Sequence, residues 1–195
     1  MSPEKISFKI YQGSTFSEVF RWESSKKIYK TITGITNAAP CVITANTHEV
    51  PEGWRVKIAN VAGMTDINSS DTYHVATVLT NNTIELNDVN SVGYKTYTSG
   101  GILEYNEPVS LTGYTARMQI REKLDSATVI KELTTENGGI TINTSNSYIQ
   151  IEISAADTAL LSFSTAVYSI ELVSSGGKVY QLANGTLTLV KEITR

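Results

Sequence analysis

The chain has 195 residues, 41% hydrophobic and 18% charged, with a formal net charge of −3. That balance excludes a disordered polyelectrolyte and, lacking an excess of Lys and Arg, argues against a surface that tracks nucleic-acid phosphates. Cys41 is the only cysteine, which excludes an internal disulfide and a thiolate metal cluster. The longest apolar runs, such as Ala159–Leu161, are a small fraction of a membrane span, and MSPEKISFKIYQG has no apolar signal core. No membrane insertion and synthesis in a reducing cytoplasm are therefore expected.

In chain order, Ile6, Phe8 and Ile10 alternate with Ser7 and Lys9, the pattern of a half-buried strand. Gln12-Gly13-Ser14 turns, and a second strand is predicted over Phe16–Trp22, with Glu18 the one polar residue on its aromatic face. A strand near a domain edge tolerates such a residue. The polar run Glu23–Lys27 then breaks the pattern, and Lys26, Lys27 and Lys30 read as a solvated linker face. From Ile28 to Leu103 the texture changes to short strands with close turns: Ile28–Ile35, Cys41–Thr44, Trp54–Ile58, Tyr73–Leu79 and Thr83–Leu86. Asn81-Asn82 has the form of a two-residue hairpin turn, since Asn tolerates positive φ.

After Pro108 the first texture returns. Thr115–Arg121 alternates strictly, with Ala116, Met118 and Ile120 on one face. Strands are predicted over Thr128–Leu133, Ile140–Ile142, Tyr148–Ile153, Val167–Val173 and Lys178–Leu182, with Asn184-Gly185 breaking the last before it resumes over Thr186–Ile193. One short helix is predicted near 154–161, capped by Ser154 with Asp157 in its first turn.

These segments predict an all-β protein: an antiparallel sandwich built from residues 1–25 and 106–195. A small β-barrel-like domain, residues 26–105, is inserted in its first inter-strand loop. Such an insertion is cheap when the module's ends lie close together.

The outer segments YQGSTFSEVFRWES, EPVSLTGYTARMQIREKL, ELTTENGGITI, ISAADTALL, VYSIELV and GTLTLVKEITR resemble a family of tailed-bacteriophage and prophage virion proteins. Those Ig-like domains are similar to the N-terminal domain of upper baseplate proteins that dock receptor-binding fibres. The inner segment, from ITGITNAAPCVITANTHEVPEGWRVKIANVAGMTDIN to SVGYKTYTSGG, resembles the small β module first named in ubiquitin-activating enzymes, which recurs in phage tail proteins without adenylation chemistry. The resemblance implies an Ig-like sandwich in a virion, made in the bacterial host cytoplasm, with other virion proteins as partners. It carries over no catalytic residue.

Enzymatic chemistry finds little footing. A nucleophile needs a base, and the only histidines are His48 and His74; neither belongs to a nucleophile motif and GxSxG is absent. His48, in a loop beside Glu49, is expected to form a solvated ion pair. His74 is expected to be a surface or partly buried imidazole. Asp66–Asp71 puts oxygen ligands close together but lacks an EF-hand's glycine turn and distal Glu, so it reads as an Asn/Asp turn. The carboxylates are spread through loops and outward strand positions and read as solvated, not as a hydrolase pair. Trp22 and Trp54 are expected in the two cores, and Tyr94, Tyr97 and Tyr105 as anchors of local turns with a binding strip as the other reading.

The expectation is a non-enzymatic protein with no catalytic residue, no cofactor and no metal site. It would act as a structural adaptor of a tailed phage particle, docking tail, baseplate, neck or fibre proteins and forming a ring of identical copies. A carbohydrate-binding module for host-surface glycans is the alternative; exposed Trp or Tyr in a shallow groove would favour it.

Overall fold

The computed structural model describes residues 3–69 and 71–193. Its strands are β1 (Glu4–Lys5), β2 (Phe8–Tyr11), β3 (Phe16–Phe20), β4 (Glu23–Thr31), β5 (Gly34–Ile35), β6 (Cys41–Thr44), β7 (Arg55–Ala62), β8 (His74–Thr80) and β9 (Thr83–Leu86). They continue with β10 (Ser99–Pro108), β11 (Thr115–Arg121), β12 (Lys131–Thr134), β13 (Ile140–Asn143), β14 (Tyr148–Ile153), β15 (Thr165–Val173) and β16 (Val179–Val190). A single-turn 3-10 helix covers Thr65–Ile67 and the one α-helix, α1, covers Ala155–Ala159. The Ser154 hydroxyl accepts the Asp157 N–H, so the helix starts at its capping residue.

The chain divides into two compact units, one made of the residues up to Trp22 and from Ser110 onward, the other of Glu23–Val109. The boundaries read from sequence, 25/26 and 105/106, fall inside strands. β4 and β10 form one antiparallel ladder that begins at Glu23↔Pro108 and runs to Thr31↔Ile102. The polar Glu23–Lys27 run is therefore strand and not linker. Its lysines sit on an edge strand and pair with carboxylates, Lys26 with Glu107 at 2.7 Å and Lys27 with Glu104 at 3.0 Å. Charge on an exposed edge also discourages unwanted strand pairing.

The first unit is a β-sandwich. One sheet has the order β1-β16-β15-β11-β12, with β2 also paired to β16; the other has the order β13-β14-β3. Period-two alternation delivers Met118 and Ile120 of β11, Ile170 and Leu172 of β15, Leu187 of β16 and Ile149 and Ile151 of β14 to a common interior, all buried. Phe8 joins the layers. Its ring lies 5.8 and 5.9 Å from Phe16 and Phe20 of the small sheet and 5.6 Å from Tyr168 of the large one. Glu18, half-buried on the inward side of edge strand β3, occupies the edge position expected for it.

Two details depart from the sequence reading. The sandwich is not wholly antiparallel, because β1 and β2 both run parallel to β16 along its outer edge. The first segment of the chain closes the sheet against the last one, a pairing that no local signal encodes. Asn184-Gly185 also does not interrupt β16, which is one strand of 12 residues. Gly185 serves a close approach instead, since a Cβ there would stand 1.7 Å from the Ile6 carbonyl oxygen.

The second unit is one seven-stranded sheet of order β4-β10-β7-β8-β9-β6-β5 around its own core. Trp54, Ile43, Ile58, Ile84, Leu86 and Leu103 are fully buried in it. The Asn81-Asn82 turn links β8 to β9 across the pair Thr80↔Thr83, but neither Asn takes positive φ. An irregularity between Val78 and Thr80 supplies the bend, and Asn82 Oδ1 accepts the Thr47 N–H at 2.9 Å.

Candidate interaction surface

The structure uses most residues with chemical potential to hold the fold together. His48 is buried, not solvated. Its Nδ1 accepts the Val50 N–H at 3.0 Å, which leaves Nε2 as the protonated nitrogen that donates to the Thr80 carbonyl at 2.8 Å. Tyr105 donates to the His48 carbonyl at 2.7 Å, and burial pushes its phenol up to about 12. Glu49 pairs with Lys30 at 2.6 Å and not with the neighbouring imidazole, and that ammonium lowers its carboxyl. His74 Nδ1 meets Asp88 Oδ2 at 2.8 Å, a side-chain pair on the sheet surface.

The Asp66–Asp71 loop offers little to a cation. Asn68 bonds the Val61 main chain through both ends of its amide, and Ser69 bonds the Ile58 main chain. Ser70 lies outside the described residues. No group of three or more His, Cys, Asp or Glu able to hold a metal occurs among the described residues. Cys41 is buried, and burial raises its thiol. Tyr97 donates to the Gly100 carbonyl at 3.0 Å and packs with Tyr94 against the core, as turn anchors do. Trp54 donates Nε1–H to the Asn106 carbonyl at 2.9 Å. Trp22 stacks obliquely with Tyr180 at 5.1 Å and edge-on with Tyr114 at 5.8 Å. Both Trp rings are buried and offer no open stacking platform.

Gln12 joins exposed segments of the sandwich. The turn after β2 places its side chain so that Nε2 donates to the carbonyls of Ala159 at 3.2 Å and Leu161 at 2.9 Å, at the end of α1. Its main-chain N–H donates to the Val190 carbonyl at 2.9 Å, and Oε1 accepts from the Glu192 N–H at 3.4 Å. Gln12 thus ties together three segments widely separated in sequence. Each brings an apolar side chain that faces water: Tyr11 57% exposed, Leu160 82%, Val190 37% and Ile193 97%. Tyr11 and Val190 are register partners and share the outward side of the sheet. Nearby, Lys131 and the Ser154 hydroxyl hold the Asp157 carboxyl below its ordinary value, which fixes the start of α1.

The sequence alone does not single out these residues. Gln12 reads as turn and Leu160 as a helix former. The available signal was parity: Tyr11 and Val190 stand at outward positions of strands whose inward positions are already apolar. That these positions meet depends on pairings across nearly the whole chain.

No protein-family model matches the chain, and no curated protein matches it. No helix among the described residues is long and apolar enough to cross a membrane.

Proposed function

We propose that this protein is a non-enzymatic structural component of a tailed-phage particle. It acts as an adaptor that docks tail, baseplate, neck or fibre proteins and assembles as a ring of identical copies. The observation that carries the protein-contact reading is the exposed, outward-facing pair Tyr11 and Val190. Tyr11 and Val190 stand side by side on the outward side of the large sheet, and Leu160 is exposed on the segment to which Gln12 bonds; exposed apolar side chains so placed suit a protein contact. The resemblance of the outer segments to Ig-like virion domains supplies the phage context, and the structural employment of both histidines supports a non-catalytic role.

The test is solution mass by light scattering at micromolar concentration, alone and with lysate of phage-infected cells. The expected result is an oligomer, or co-migration with tail, baseplate or neck proteins, abolished by the double substitution Tyr11→Ser and Leu160→Ser while the circular dichroism spectrum stays unchanged. A wild-type monomer that ignores virion proteins would overturn the adaptor reading.

A further inference from the structure

A second surface, independent of the segments joined by Gln12, lies on the outer face of the large sheet of the sandwich. Cross-strand register lines up Gln119, Ser169, Asn184 and Lys5 in one row over β11, β15, β16 and β1. The adjacent row holds Arg121, Val167 and Thr186. Together with the exposed Leu124 these residues line a groove of about 500 Å³.

Three properties distinguish the groove. It contains two cations, Lys5 and Arg121, and among the described residues neither has a carboxylate partner, while no Asp or Glu lines it. This occurs on a chain whose net charge is −3. Arg121 is also held in place. Its guanidinium donates to the Ser126 and Ala127 carbonyls and to Gln119 Oε1 at 2.8 Å, and Gln119 in turn donates to Glu132 at 2.6 Å. Finally, the half-buried Asn184 amide in the middle of the row makes no hydrogen bond with the described residues, although its neighbours do: Gln181 donates to Ser169 Oγ at 3.0 Å and Ser7 bonds Thr186 at 2.8 Å.

From this arrangement we infer that the groove binds an acidic saccharide. Lys5 and Arg121 stand at its two ends, three strand spacings or about 14 Å apart, which suits a short oligomer with carboxylates on separate sugars. The Asn184 amide, with one donor end and one acceptor end, matches neighbouring sugar hydroxyls, and Val167 and Leu124 offer apolar contact to a sugar's C–H face. A peptide is the poorer occupant. In the Gln119 row β11, β15 and β16 each have a strand on both sides, so their main-chain N–H and C=O groups there are not left to form a ladder with an added strand. Tyr168, the aromatic residue lining the groove, is buried with its ring against Phe8 and offers no stacking platform, and the affinity is accordingly weak, with Kd about 1 mM.

The experiment titrates the full chain with tetragalacturonate, following amide chemical shifts by NMR at low salt, with maltotetraose and tetraglutamate as comparison ligands. Tetragalacturonate is expected to shift the amides of Lys5, Ser169, Asn184 and Arg121 and to bind more weakly as salt rises. Asn184→Ala and Lys5→Gln, neither of which removes a hydrogen bond or ion pair seen in the fold, are each expected to weaken binding about fivefold. No shifts in these rows, equal binding of maltotetraose, or binding unaffected by both substitutions would each overturn the inference. Tetraglutamate binding at least as tightly would reassign the groove to acidic peptide.

Discussion

Replacing Gly185 by alanine tests how the two ends of the chain are joined. The new methyl group would stand 1.7 Å from the Ile6 carbonyl oxygen and 2.7 Å from its carbon, where ordinary heavy-atom contacts are about 3.5 Å. Ile6 cannot simply retreat. Its N–H donates to the Asn184 carbonyl at 2.9 Å, and its carbonyl accepts the buried Tyr168 hydroxyl at 3.0 Å. Relief of the clash therefore breaks at least one of these bonds and lifts β1 from β16. A lost hydrogen bond at about 1 kcal/mol plus the strain of an overpacked site gives a cost of about 3 kcal/mol. For a unit of this size that lowers the melting temperature by about 10 °C. Differential scanning calorimetry reads it directly, with Gly93→Ala as control: nothing lies within 4 Å of a Cβ there and its φ is not left-handed, so it leaves stability unchanged or raises it by about 0.5 kcal/mol. A Gly185→Ala protein that melts within about 2 °C of wild type would refute the close-approach argument.

Excision of residues 23–109, with Trp22 and Ser110 joined by a short Gly/Ser turn, is expected to leave a sandwich that melts cooperatively, because the paired Glu23 and Pro108 bring the cut ends together; a broad, non-cooperative transition would contradict it. Trp54→Phe shrinks a fully buried ring and leaves the Asn106 carbonyl without its donor, and urea denaturation should show a loss of about 2–4 kcal/mol. Alkali provides a further check. The Tyr105 phenol ionises near its ordinary value of 10.0 in the unfolded chain and is pushed up to about 12 in the fold. Its contribution is therefore complete below pH 10 and is lost as pH rises from 10 towards 12, because the unfolded chain releases the proton first. Denaturant midpoints across this range should fall more steeply in wild type than in Tyr105→Phe; parallel profiles would exclude Tyr105 as the source.

Local chemistry alone determined a good deal here. Strict alternation in Thr115–Arg121 and Tyr148–Ile153 assigned the inward faces, because side chains on a strand reverse direction at every residue whatever the partner strand is. The Ser154 cap and Asp157 placed the helix for the same reason, since capping is settled within one turn. The tertiary structure decided which strands meet. The parallel docking of β1 and β2 on β16, the role of Gly185 and the bonds of Gln12 all depend on residues more than a hundred positions apart, and a period-two pattern carries no information about distance along the chain. His48 shows the same division. Its neighbours in sequence suggested a solvated loop, but the Thr80 carbonyl and the Tyr105 hydroxyl, both far along the chain, enclose it and satisfy its polar groups.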